Sequence, residues 1–206
     1  PLNKRLPLMK RIAFLLLAAS SIGTAYAENS MSNPRLSYED SCRKLQGTHL
    51  EVGECPSIPK SLPEPEDEEL GISFFRTFVG DGDDLSNLSL PRTFMGRSQI
   101  VDVSFQNSDL SESNLRWNDF TNVNFSGAVL AGSDLRASAL SEALFVGADL
   151  RRADVRRSSF EDCDFTNADL TEAVLTKTQG ESLHLSSEQR TQVNWEISDG
   201  PEPSGG

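Results

Sequence analysis

Residues 101–175 read VDVSF QNSDL SESNL RWNDF TNVNF SGAVL AGSDL RASAL SEALF VGADL RRADV RRSSF EDCDF TNADL TEAVL, and every group of five ends on a large apolar residue. The series runs Phe105, Leu110, Leu115, Phe120, Phe125, Leu130, Leu135, Leu140, Phe145, Leu150, Val155, Phe160, Phe165, Leu170 and Leu175. Two positions earlier stands a small residue, as at Ser108, Ala128, Ala148, Cys163 and Ala168. No insertion interrupts the frame. Neither a helical period of 3.6 nor a strand period of 2 produces such a pattern. A fixed repeat is the mark of a solenoid.

A second period lies inside the first. Every twentieth residue carries nearly the same side chain: Phe105, Phe125, Phe145 and Phe165 form one series, and Leu110, Leu130, Leu150 and Leu170 the next. Leu115, Leu135, Val155 and Leu175 make a third, and Ile100, Phe120, Leu140 and Phe160 a fourth. The pattern predicts a coil that closes every twenty residues with four sides of five. Equivalent side chains then stack inside a narrow tube, and successive coils pair their backbones at about 4.8 Å. The small residue also points inward, because the tube has no room for a second large group.

Motifs such as Ser108-Asp109-Leu110 and Ala148-Asp149-Leu150 resemble the pentapeptide-repeat family, whose pattern is A(D/N)LXX. The resemblance covers 101–175 strongly and 86–100 loosely. It implies an all-β fold, a right-handed quadrilateral parallel β-helix, here of about four coils with short terminal caps. It implies little about function, because the family hosts many roles.

The ends differ from the repeat. Lys10 and Arg11, the apolar run Ile12 to Ala19 and the small residues of Ala25-Tyr26-Ala27 are the parts of a secretory signal peptide. The alternative, a retained anchor, has an apolar run shorter than the ~20 residues a membrane span needs. Residues 1–27 are therefore read as upstream sequence and a leader cleaved after about Ala27, which places the mature chain in the periplasm or outside the cell. Removing Lys4, Arg5, Lys10 and Arg11 lowers the net charge of −12 by four, to −16. Such a chain repels nucleic-acid phosphates and anionic lipid heads, so no direct nucleic-acid binding and no membrane span are expected of the mature form.

Residues 28–70 read as an appended segment. Ser37 can cap a helix from Tyr38 to Leu45 that ends near Gly47. Pro56, Pro59, Pro63 and Pro65 follow, and Glu64 to Glu69 is nearly all acidic, which reads as a linker. Cys42 and Cys55 are expected to pair in an oxidising compartment; two free thiols are the alternative in a cytosolic chain. Cys163, in series with Val103, Val123 and Ala143, reads as a small buried residue. Residues 71–100 are assigned to an N-terminal cap over 71–85 and the first coil. Leu85, Leu90, Met95 and Ile100 already keep the five-residue frame. The β-helix proper spans 101–180. In 181–206, Ser186 and Gln189 form a capping-box pattern for a helix of roughly Ser187 to Val193, followed by a loose tail.

No catalytic, cofactor or metal motif is found. His49 and His184 both lie outside the repeat, and no phosphate loop, CxxC or HExxH occurs. The carboxylates before the apolar residues, such as Asp109, Asp149 and Asp169, should face solvent. One surface feature is more pointed. Arg116, Arg136 and Arg156 stack at twenty-residue spacing beside Trp117, Ala137 and Arg157, with Arg151 and Arg152 on the adjoining side. Asp134 and Asp154 on the same side are expected to compensate these charges. The stripe is either a set of surface ion pairs of little energetic weight or a docking strip for a partner, since Arg and Trp are enriched at binding hot spots. Three classes of function follow. One is a non-catalytic exported interaction module; the second, suggested by the resemblance, is a DNA-mimicking gyrase-binding protein of the quinolone-protection type. The third, a hydrolase, has no motif behind it. Monomer and end-to-end dimer both stay open.

Overall fold

A computed structural model describes residues 34–50, 52–58, 71–80 and 82–197. The proposed leader, most of the acidic linker and the tail lie outside the described residues. The elements are α1 (Tyr38–Leu45), β1 (Ser73–Phe75), β2 (Phe78–Val79), β3 (Phe94–Gly96), β4 (Gln99–Val101), β5 (Asp119–Thr121), β6 (Ala139–Ser141), β7 (Ser159–Glu161), β8 (Val174–Thr176), α2 (Lys177–Ser182), α3 (Ser187–Gln192) and β9 (Asn194–Glu196).

Every strand pairing is parallel. Ile100 opposes Phe120, Phe120 opposes Leu140 and Leu140 opposes Phe160, so the register is twenty residues. The other sides carry the same register through single bridges such as Asn124 to Leu144, Val129 to Asp149 and Asp134 to Asp154. The coil is thus four-sided, and each side is named below by its central apolar residue: Phe125, Leu130, Leu135 and Leu140. All four of these side chains are fully buried. Phe105, Phe125, Phe145 and Phe165 stack with ring centroids 5.3, 5.1 and 4.7 Å apart and planes within 13° of parallel. Leu110, Leu130, Leu150 and Leu170 are buried beside them. Each such side chain contributes about 1.5–3 kcal/mol of transfer free energy before conformational entropy is charged.

The expected count of four coils is corrected to about six. On the Leu135 side the rungs are Phe74, Met95, Leu115, Leu135, Val155, Leu175 and Trp195. Residues 71–79, expected to cap the coil, are instead its first turn: Phe74 opposes Met95 and Val79 opposes Ile100. The step there is twenty-one residues because one extra residue lies between Val79 and Asp84, at a bend where Gly82 takes a φ of 83°. At the far end, α2 and α3 replace two sides, yet Leu175 opposes Trp195 at twenty residues, so the phase survives.

Both ends of the coil are closed by polar side chains that meet the free backbone. The helix over Tyr38–Leu45 forms with Ser37 as its N-cap and buries Ser41, Cys42 and Leu45. Ser41 Oγ accepts from Ser89 N at 2.8 Å, and Leu36 N donates to Asn87 O at 2.8 Å. Cys42 and Cys55 stand at disulfide distance, Cα to Cα 6.2 Å, and tie the following loop to this helix. At the other end the capping box of Ser186 and Gln189 is present, and a second one, Thr176 and Gln179, starts α2. The Gln179 amide donates to Val155 O and Ser158 O, both at 2.7 Å. The Gln189 amide donates to Phe165 O at 2.6 Å and Ala168 O at 3.0 Å. These are carbonyls that a next coil would otherwise have met.

Candidate interaction site

Each corner of the coil turns through a residue of positive φ, two after the apolar one. Among the described residues sixteen such positions are not glycine, with φ from 50° to 63°. At the corner between the Leu135 and Leu140 sides these are Arg76, Arg97, Trp117, Ala137 and Arg157. The residues just before three of them are Arg116, Arg136 and Arg156, so the repeat itself stacks six guanidiniums and one indole along a single corner.

Beneath that corner lies a buried polar ladder. Ser98 N donates to Asn118 Oδ1, Asn118 N to Ser138 Oγ and Ser138 N to Ser158 Oγ, at 2.9 to 3.1 Å. Each side chain then donates to a carbonyl one turn back: Asn118 Nδ2 to Met95 O at 2.6 Å, Ser138 Oγ to Leu115 O at 3.0 Å, Ser158 Oγ to Leu135 O at 2.6 Å. Gln179 extends the same row. Reading these positions only as small missed the ladder. Its signal was present, since Ser98, Asn118, Ser138 and Ser158 are all hydrogen-bonding types at twenty-residue spacing.

Above the ladder the arginines are held flat by aspartates. Asp134 accepts from Arg136 Nη2 at 2.6 Å and lies 3.7 Å from Arg116 Nε. Asp154 accepts from Arg156 Nη2 at 2.6 Å and lies 3.6 Å from Arg136 Nε. The compensation expected from Asp134 and Asp154 is therefore present. Arg116, Arg136 and Arg156 expose only 13, 22 and 21% of their side chains. The hydrogen bonds that Arg136 and Arg156 donate to Asp134 and Asp154 raise the guanidinium pKa of both, which keeps them charged. Trp117 is half-buried, with the guanidinium carbons of Arg97 and Arg116 each 4.9 Å from its ring centroid.

The structure brings Arg116, Trp117, Arg136, Arg156 and Arg157 to one corner and adds Arg97 and Arg76 to it. Arg151 and Arg152 belong to the preceding corner. Arg151 is exposed there and pairs with Asp149 at 2.6 Å and Asp169 at 3.8 Å. Cys163 is partly buried, and burial pushes its thiol up, away from the reactive thiolate. His49 is 3.1 Å from Asp83. Among the described residues no three His, Cys, Asp or Glu side chains converge as a metal site needs. An open polar cleft of about 410 Å³ is bordered by Asp169, His184, Glu188 and Gln189, but the Gln189 amide is committed to the Phe165 and Ala168 carbonyls. No described helix is long and apolar enough to cross a membrane.

A family model described as pentapeptide repeats matches residues 98–136 and 138–176, in 8 copies. Those residues of the coil match pentapeptide repeats. Among curated proteins, none matches the chain. Of the solved pentapeptide-repeat structures, HetL, involved in heterocyst differentiation regulation in Nostoc sp. PCC 7120, is 20% identical over 53% of this chain and 49% of its own, with a TM-score of 0.45. The chain thus spans about half of HetL. A pentapeptide-repeat protein of the Arabidopsis thaliana thylakoid lumen is 22% identical over 56% of this chain and 65% of its own, with a TM-score of 0.35. QnrB1, a plasmid-mediated fluoroquinolone resistance protein, is 10% identical over 61% of this chain and 91% of its own, with a TM-score of 0.19. Likenesses of this size carry no function across. The repeat carries the twenty-residue register and the corner residues of positive φ, and the arginines and the tryptophan occupy one of those corners.

Proposed function

We propose that the chain is a non-catalytic, exported protein-interaction module that docks a partner through the corner of Arg97, Trp117, Arg136 and Arg157. The observation that supports this is the arginine–aspartate ladder. Three guanidiniums, Arg116, Arg136 and Arg156, are held by two carboxylates, Asp134 and Asp154, on this corner of a chain whose net charge is −12. Their planes are held in place before any partner arrives, so little side-chain entropy is lost on docking. Arg and Trp are also the types that dominate binding energy at small interfaces. Export rests on the composition of residues 9–27 and agrees with the Cys42–Cys55 pair at disulfide distance.

The test places a photo-crosslinking residue at Ala137 and, as a control, at Gly127 on the opposite corner, in the full chain expressed in a Gram-negative bacterium. Docking gives an adduct from position 137 alone, lost with Trp117→Ala. The same adducts from both corners overturn the reading. Recovery of an uncleaved chain from the cytoplasm overturns export. The acidic balance favours one second reading, a DNA-mimicking gyrase-binding protein, and a gyrase-protection assay decides it.

A further inference from the structure

The Leu140 side is the most regular surface of the molecule. Five parallel strands, β2-β4-β5-β6-β7, lie side by side on it. Their outward residues over the middle turns are Gln99, Val101, Asp119, Thr121, Ala139, Ser141 and Ser159, mostly small and with Asp119 the one charge among them, while Phe78 on β2 and Glu161 on β7 are exposed at the two ends of the sheet. The two rims carry opposite signs. One is the arginine corner with Arg76, Arg97 and Arg157; the other carries Asp102, Glu142 and Asp162, all exposed.

We propose that two copies of the chain pair face to face across this side, with the two coils running in the same direction. The rims select that arrangement. A two-fold axis along the coil exchanges left and right rims while keeping each turn at its own height. Arg97 then faces Asp102 of the second copy, and Arg157 faces Asp162 of the second copy, because each pair belongs to one turn. A two-fold axis across the coil would set arginine against arginine. Five strands at about 4.8 Å give a face roughly 24 Å long, and the small side chains of its middle turns let two sheets approach to about 10 Å. With its rims, such a face buries about 1,000 Å² in total, the lower bound for a specific interface. This pairing is independent of partner docking at the arginine corner and competes with it for Arg97 and Arg157. It also differs from the end-to-end association that an open coil suggests.

Sedimentation velocity of the full chain tests it. A monomer–dimer equilibrium is expected with a dissociation constant in the micromolar range, weakened about tenfold by raising salt from about 50 to about 500 mM. Ala139→Arg, on an exposed strand position, removes the dimer and leaves the circular dichroism melt unchanged. Arg157→Asp alone and Asp162→Arg alone each weaken self-association, and mixing the two variants restores a dimer, because each then offers the charge the other lacks. That rescue cannot come from a folding defect. A monomer at about 100 µM, a dimer indifferent to Ala139→Arg, or a mixture no tighter than its components overturns the proposal.

Discussion

Two diagonally opposite corners of the coil solve the same backbone problem with different residues. Between the Phe125 and Leu130 sides the positive-φ positions hold Asn87, Asn107, Gly127, Gly147 and Asn167. These are the types that reach left-handed backbone at least cost. Across the tube the same positions hold Arg76, Arg97, Trp117, Ala137 and Arg157, none of which is favoured there. The hydrogen bonds from these positions to the next turn differ in step. Asn87, Asn107, Gly127 and Gly147 donate at 2.9, 3.0, 2.9 and 2.9 Å, whereas Arg97, Trp117 and Ala137 donate at 3.4, 3.2 and 3.2 Å and Arg76, in the first turn, at 3.0 Å. Beneath the first corner the inward residues Leu88, Ala128, Ala148 and Ala168 are apolar and Ser108 is polar, with its own bonds to Leu88 N and Leu85 O; beneath the second stands the longer ladder of Ser98, Asn118, Ser138 and Ser158. At one corner the backbone chose the residue. At the other, side-chain chemistry overrode a cost of about 1 kcal/mol per turn, and the ladder beneath helps to hold the strained turns in place.

The comparison breaks first if the two corners do not share one packed core. Phe145→Ala, which removes a ring stacked between Phe125 and Phe165, should cost about 3–5 kcal/mol; an unchanged melting temperature would refute the four-sided frame. Asn118→Ala cuts the ladder and leaves the Met95 carbonyl and Ser98 N–H without these bonds, so denaturant unfolding should show a loss of about 2–3 kcal/mol. A value near zero would mean that the ladder does not support the arginine corner. Two opposed substitutions sharpen the backbone argument. Gly127→Ala should destabilise by about 1–2 kcal/mol, since it puts a Cβ on a left-handed residue, 2.5 Å from Asn107 Oδ1. Ala137→Gly should stabilise by about 0.5 kcal/mol, the relief of strain less the added unfolded-state entropy. Equal signs would show that the corners do not differ as described. The smallest effect concerns an acid pair outside both corners. Hydrogen bonds from Arg151 hold the Asp149 carboxyl below its ordinary value. Its contribution is present above the usual carboxylate range and lost as pH falls through the lowered folded value. Asp149→Asn should therefore melt slightly below the parent at pH 7 and coincide with it near pH 2, as read by melting curves at the two pH values.

The middle of the fold was legible because its packing is periodic. Phe105 to Phe165 stack where the twenty-residue spacing puts them, and Arg116, Arg136 and Arg156 share a corner for the same reason. The ends were not, because they obey the geometry without the motif. The first turn carries one residue too many between Val79 and Asp84, which takes Phe74 and Val79 out of the five-residue frame although they sit inside the tube. The last turn replaces two extended sides by α2 and α3, and Gln179 and Gln189 stand in for a coil that is not there. At the candidate site, the position of each arginine followed from the period. The approach of Arg97 to Trp117 did not, since Arg97 precedes the quoted repeats and its role depends on where the side chain lies.

That single extra residue has a consequence for how the chain can change in length. Inside the coil every residue is locked to neighbours twenty before and twenty after, so a one-residue edit would rotate all later side chains by a position and scramble every column. At residues 71–80 the described strand pairing is to the following turn, and there an edit is absorbed locally. Between those limits the molecule can grow or shrink only in whole laps, each one adding or deleting a complete copy of all four corners at once.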